Sequence, residues 1–377
     1  MIYLDYNATT PVRPEVLEEM LPFFKGDFGN PSSGHAFGRR PAQAIKLARE
    51  RLSGLLGCDP DEIIFTGCGS ESDNLAIKGV ADALRGKGNH IITTAIEHPA
   101  VILTCKYLQA RGFEVTYLPV DEYGRVSPSA VEAAMTDRTI LVSVMHANNE
   151  TGSIQPIREI SKITRSREIY LHTDAAQSVG KIPVNVDELG VDLLTVAGHK
   201  FYAPKGVGAL YVRKGAALEP LIHGGGQEHG LRAGTENVAL IAGMGKAAEL
   251  AGRELEANMR RLVSLRHRLY ELLSAKPGGV KLNGHPTERL PNTLNISFEG
   301  VDSSELLAAV PEVAASTGSA CHANRKEPSS VLAAMGVPRE LALGAVRFSV
   351  GLYTTEEEVD RAAFPIADRV NEVRRKT

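Results

Sequence analysis

A chain of 377 residues, 43% of them hydrophobic, can bury a large core and is long enough for about two domains. A net charge of −3 without basic clusters argues against a nucleic-acid footprint, and no apolar run approaches the ~18–20 residues that span a membrane. Four cysteines, Cys58, Cys68, Cys105 and Cys321, match neither a zinc knuckle nor a secreted disulfide framework. The first residues also lack the pattern of a secretion signal. Reduced thiols, a cytoplasmic location and no bound metal are therefore expected.

In chain order, β-branched apolar runs predict strands over 62–66, 90–95, 114–118, 140–145, 168–173, 193–196 and 208–212. Helical periodicity fills several of the gaps, over 41–56, 73–84, 99–110 and 157–165. Strands without strict polar alternation, separated by helices, predict an α/β fold with a mostly parallel seven-stranded sheet covered on both faces. A long helix over 241–275 carries Leu255, Met259, Leu262, Leu265, Leu269 and Leu272 at three- and four-residue steps. Alternation over 290–299 then predicts an antiparallel strand. This change of pattern divides the chain into a large domain, 16–250, and a smaller α+β domain made of 1–15 and 251–377. Thr354 and Thr355, followed three residues later by Glu357 and Glu358, predict overlapping capping boxes for the last helix.

In open α/β sheets ligands bind beyond the carboxyl ends of the strands. Here one strand after another ends in a polar cluster. Gly67-Cys68-Gly69-Ser70-Glu71 precedes a helix, and a glycine turn feeding free helical amides suits phosphate. Cys68 reads there as a small packed residue. Glu97-His98, His146-Ala147-Asn148-Asn149-Glu150, Asp174-Ala175-Ala176-Gln177 and Gly198-His199-Lys200 close four further strands. Singly, each has an ordinary structural reading: a helix cap, a satisfied histidine, a solvated lysine. Together they offer amides and hydroxyls for a phosphate, a carboxylate for a pyridinium nitrogen and an amine for an aldehyde. Pyridoxal 5′-phosphate requires that set.

The chain resembles the cysteine desulfurases of the class V aminotransferase-like superfamily, in the nitrogen-fixation and iron–sulfur-cluster branch. The resemblance rests on Leu4-Asp5-Tyr6-Asn7-Ala8-Thr9-Thr10-Pro11, Gly29-Asn30-Pro31-Ser32-Ser33, Glu71-Ser72-Asp73-Asn74, Ala147-Asn148-Asn149-Glu150-Thr151-Gly152, Gly198-His199-Lys200, Gly234-Thr235-Glu236-Asn237 and Arg347-Phe348-Ser349-Val350-Gly351. It implies a fold type I pyridoxal-phosphate-dependent enzyme in which Lys200 bonds the cofactor aldehyde and later carries the α-proton. His98 stacks on the ring, Asp174 meets the ring nitrogen and Gln177 the ring hydroxyl. Ser70, the Glu71 amide and His199 hold the phosphate, with Thr235 reaching in from the second subunit of a homodimer. Asn149 and Arg347 take the carboxylate of L-cysteine, and Cys321 receives the sulfur for delivery to a protein acceptor in iron–sulfur cluster assembly or tRNA thiolation.

Two features depart from that pattern. Ala197 stands where a phosphate-binding serine is usual, so that contact is missing or falls to Thr195 or Ser72. The sequences around Cys321 and Lys200 are also similar to those of selenocysteine lyases, which makes release of selenium from selenocysteine the alternative. A catalytically silent platform is disfavoured by the presence of Lys200, His98, Asp174, Arg347 and Cys321, and an aminotransferase would have no use for Cys321.

Overall fold

Residues 1–317 and 327–374 are described in a computed structural model of the chain. Its strands are β1 (Ile2–Tyr3), β2 (Ile63–Thr66), β3 (His90–Thr94), β4 (Glu114–Leu118), β5 (Thr139–Ser143), β6 (Tyr170–Asp174), β7 (Leu193–Ala197), β8 (Gly208–Val212), β9 (Val280–Asn283), β10 (Thr293–Phe298), β11 (Val313–Ala314) and β12 (Ala345–Ser349). The seven expected strands, β2 to β8, form one sheet in the order β2-β8-β7-β6-β5-β3-β4. The pairs from β4 through β3, β5 and β6 to β7 are parallel, and β8 runs antiparallel to both β7 and β2.

Alternate residues of these strands feed two apolar layers. Ile63, Phe65, Ile92, Val142, Leu194 and Val196 enter one; Ile64, Ile91, Leu141, Leu193 and Leu210 enter the other. Strands buried on both faces have no polar side to show, which is why their sequences lack alternation. Only the edge strand β4 keeps an exposed residue, Glu114.

A 38-residue helix, Val238–Ala275, links this layer to a second core. Its first half packs Ile241, Met244 and Leu250 with the sheet, and its second half packs Leu262, Leu265, Leu269 and Leu273 elsewhere. That second core gathers Ile2 and Leu4 from the N-terminus, Leu294, Ile296 and Phe298 of β10, Val346 and Phe348 of β12, and the helix Glu356–Arg374. There β10 is the middle strand of an antiparallel trio, β12-β10-β9, and β1 pairs in parallel with β11.

Three local expectations are modified. The helix expected from residue 41 begins at Ala36, because Pro41 in its second turn forfeits a single backbone bond. A helix over Pro14–Lys25 escapes the periodicity, since it buries only Val16 and Met20. Of the two capping boxes only one forms: Thr355 and Glu358 exchange both bonds, at 3.0 and 3.1 Å. The Thr354 hydroxyl instead accepts from the Gly351 amide at 2.9 Å.

Candidate active site

The carboxyl ends of β2, β3, β5, β6 and β7 surround one cavity. Asn7, Cys68, Gly69, Ser70, Asp73, His98, Met145, Ala147, Asn149, Asp174, Ala176, Gln177, Ala197, His199, Lys200 and Arg347 line it. Every sequence-predicted site residue is there except three. Glu71 sits in the first turn of the adjoining helix, where its carboxylate accepts from the Gly67 amide at 2.8 Å and pairs with Arg232 at 2.9 Å. Thr235 is exposed and is not among the residues that line its own chain's cavity. Cys321 lies outside the described residues.

Lys200 ends the short turn Gly198–Lys200 that follows β7, and its Nζ donates to the carbonyls of Asn7 at 2.7 Å and Ala8 at 2.8 Å. Burial and then the Arg347 guanidinium push its pKa down to about 8, against the pull of Asp174 and Asp5. Part of the amine is thus uncharged at neutral pH, as a nucleophile requires.

Asp174 closes β6, 7% exposed. Its carboxylate accepts from the Ala176 amide at 2.9 Å. Burial raises its pKa, opposed by that bond and by His98 and Lys200. Beneath it two further acids are buried. Glu97 is pushed up to about 8 by burial, and Asp73, raised well above its usual value by burial and by Asp174, has an Oδ1 without a hydrogen bond. The neighbouring His172 is neutral, its pKa driven to about 3 by burial. Of these acids Asp174, at the cavity wall and with the rise in its pKa opposed by its amide bond, His98 and Lys200, is the one that suits a protonated ring nitrogen.

His98 caps the helix Pro99–Gln109, with Nδ1 accepting from the Ala100 amide at 3.2 Å. That bond places the proton of the neutral ring on Nε2. At the opposite wall the helix Gly69–Ala83 begins, and its first-turn amides have no internal acceptors. A Cβ at Gly69 would stand 3.0 Å from Ala197 Cβ, so glycine keeps this wall open. Ser70 is exposed to the cavity, and His199 is held neutral, with its pKa near 4 through burial and the lysines around it. An anion fits this end.

Two expectations fail here. Ser72 and Thr195 do not replace the serine missing at Ala197. Both are fully buried, Ser72 Oγ with Thr66 Oγ1 at 2.7 Å and Thr195 Oγ1 with His172 Nε2 at 3.1 Å. Nor is Cys68 a packed residue; it is exposed on the cavity wall, because the extended backbone ahead of the helix turns it outward.

Arg347, on β12, donates through Nη1 to the Asn149 carbonyl at 3.1 Å and pairs through Nη2 with Asp5 at 2.8 Å. Its Nε is buried and has no hydrogen-bond partner among the described residues. The same residue exchanges backbone bonds with Ser316 at 2.7 and 3.1 Å. At the far side of the Cys321 segment, the Ser329 hydroxyl donates to Glu150, the neighbour of Asn149.

Sequence reasoning missed Asn7 as a functional position. Its carbonyl and amide bond Lys200, Gln177, Asn149, Thr293 and Asn292. An asparagine in an N-terminal segment gives no periodic signal, and only the fold brings it to the sheet edge.

The class-V aminotransferase model matches residues 2–362. A cysteine desulfurase IscS of Dictyoglomus turgidum is 55% identical over 95% of this chain and 92% of its own. A solved NifS-like protein superposes with a TM-score of 0.92 at 41% identity, covering 98% of this chain and 99% of its own. SspA, solved in complex with cysteine, superposes with a TM-score of 0.84 at 40% identity, over 94% of this chain and all of its own. With a sheet, a cavity and a sequence that agree, the chain belongs to the class-V aminotransferase family, in its cysteine desulfurase branch.

Proposed function

We propose that the protein is a pyridoxal-phosphate-dependent cysteine desulfurase that takes L-cysteine to L-alanine and passes the sulfur to Cys321 as a persulfide. The observation that carries this reading is the one cavity that joins a partly deprotonated Lys200, the buried Asp174 and Arg347. Pyridoxal phosphate, held by Lys200, Asp174, Gln177, His98, Ser70, the Glu71 amide and His199, supplies an electron sink that lets the Cα–H and Cβ–S bonds of the substrate break.

The chain's own residues do the rest. Arg347 and Asn149, which both line the cavity, orient the substrate carboxylate. Lys200, uncharged in part at neutral pH, takes the proton from Cα. His98 presents an N–H at Nε2 for proton transfer. Cys321 attacks the substrate sulfur as the thiolate, forming an S–S bond while the Cβ–S bond breaks, and Cβ is protonated to give alanine. The segment that carries Cys321 starts at Ser316, backbone-paired with Arg347, so the thiol belongs to the chain that leaves the substrate's carboxylate site.

A homodimer supports the role of Thr235, which is exposed and would enter the partner's cavity. Phe28 and Phe37, 72% and 60% exposed and with ring centroids 5.9 Å apart, offer apolar surface for the second copy. The names of the relatives favour sulfur over selenium, and the IscS name favours iron–sulfur cluster assembly as the destination. No helix among the described residues is long and apolar enough to cross a membrane; the cytoplasm is the proposed location.

Mass spectrometry after incubation with L-cysteine is expected to find one added sulfur on Cys321 and none on Cys321→Ala, whose cofactor spectrum stays normal. Undiminished sulfur transfer by Cys321→Ala would sink the scheme.

A further inference from the structure

Among the described residues one lysine is buried: Lys181, 6% exposed. It lies four residues beyond Gln177, and its Nζ donates to Gln177 Oε1 at 2.7 Å and to Asn7 Oδ1 at 3.4 Å. Burial first, and then the cations Lys200 and Arg347, drive its pKa far down. Burying an amine without a counter-ion is costly, and an apolar chain of similar length would pack there without that penalty. The amine therefore invites a use.

The polarity of the network supplies one. The Asn7 carbonyl can only accept, and it takes Lys200 Nζ at 2.7 Å and Gln177 Nε2 at 3.0 Å. The Gln177 NH2 must accordingly face Asn7 and the cavity, which turns Oε1 away, toward Lys181. The Asn7 side chain is fixed in the same way. Its Nδ2 donates to the Asn149 carbonyl at 3.2 Å, so Oδ1 turns to Asn292 and Lys181. Two amide oxygens thus meet two N–H groups of Lys181. Without them Gln177 Oε1 is a buried acceptor lacking this donor, and only the Asn7 carbonyl still opposes a turn of the amide.

We infer that Lys181 is a positioning residue: acting through the Gln177 amide, it keeps the NH2 of Gln177 directed at the ring oxygen of the cofactor. This rests on the contact proposed above between Gln177 and that oxygen.

The test reads the pH midpoint of the visible absorption band of the substrate-free holoenzyme, which does not depend on turnover. A donor to the ring oxygen makes that oxygen less basic, so its loss moves the midpoint up. Gln177→Leu is expected to raise it by about one unit and Lys181→Met by about half a unit or more. Lys181→Gln, which still offers an N–H to Oε1, returns the midpoint to wild type. In the Gln177→Leu background, Lys181→Met adds nothing. Lys181→Leu replaces Lys181→Met if the latter does not fold, as judged by circular dichroism and cofactor content.

A shift with Gln177→Leu but none with Lys181→Met overturns this inference and leaves the Gln177 contact standing. No shift with Gln177→Leu removes the contact and the inference together. A shift from Lys181→Met that persists in the Gln177→Leu background, or a Lys181→Gln shift as large as that of Lys181→Met, overturns positioning in favour of a through-space charge effect.

Discussion

Lys200 has an unusual place among lysines because three charged side chains set its proton affinity with opposite signs. Burial and Arg347 lower it, while Asp174 and Asp5 raise it. Below about pH 8 the amine is protonated, so its reactivity rises with pH through that value. In the cofactor-free protein, modification of Lys200 by an amine-directed aldehyde should therefore reach half its limiting rate near pH 8. Arg347→Leu removes a repulsion and should move that midpoint up, whereas Asp174→Asn should move it down, each by about half a unit. A midpoint near the ordinary value of lysine in the wild type would show that the amine is not desolvated. Glu97 provides a second titration. Its pKa, raised to about 8, means that the stability it contributes is full below the usual carboxylate value and is lost as pH rises through 8. The stability difference between wild type and Glu97→Gln, followed by thermal unfolding, should accordingly fall as pH increases from 5 to 8.

At the scale of elements, the long helix Val238–Ala275 distinguishes two glycines that the sequence treats alike. A Cβ at Gly245 would meet Ala48 Cα of the helix Ala36–Leu56 at 2.4 Å, so the two helices touch backbone to side there. At Gly252 the nearest atom to a Cβ is Leu55 Cδ1 at an ordinary 3.5 Å. Gly245→Val should cost about 1–3 kcal/mol through overpacking, while Gly252→Ala should gain up to about 1 kcal/mol from helix propensity. Denaturant unfolding of the pair checks both signs.

The same contrast explains what could be read in advance. The β-branched runs of the main sheet and the heptad-like leucines of the long helix carry their structure in their periodicity, so their existence was legible to within a few residues. Lys200, His98 and Asp174 were legible because each follows such a run. Asn7, Lys181 and the outward turn of Cys68 were not, because their significance depends on which distant backbone faces them. Thr195 and Ser72 misled for the same reason: a hydroxyl in the sequence does not disclose that the fold has already given it a partner.

At the scale of the whole molecule, the proposed active unit is two chains. Phe28→Glu with Phe37→Glu places two charges on the apolar pair and should convert the dimer to monomer in sedimentation equilibrium. Activity should fall with it, because Thr235 no longer reaches a second cavity. A double variant that remains dimeric with full activity would move the interface elsewhere.

The pairing of Asp5 with Arg347 has a further consequence for what the protein recognises. The guanidinium is already neutralised by a side chain of its own chain, 2.8 Å away. In the proposed complex an amino-acid carboxylate meets a guanidinium that Asp5 already partners, so its net electrostatic gain is smaller than at a free arginine. The shared backbone of all α-amino acids thus contributes little to the selection among them. Discrimination falls to the side chain, and the sulfur atom itself becomes the feature that singles out cysteine.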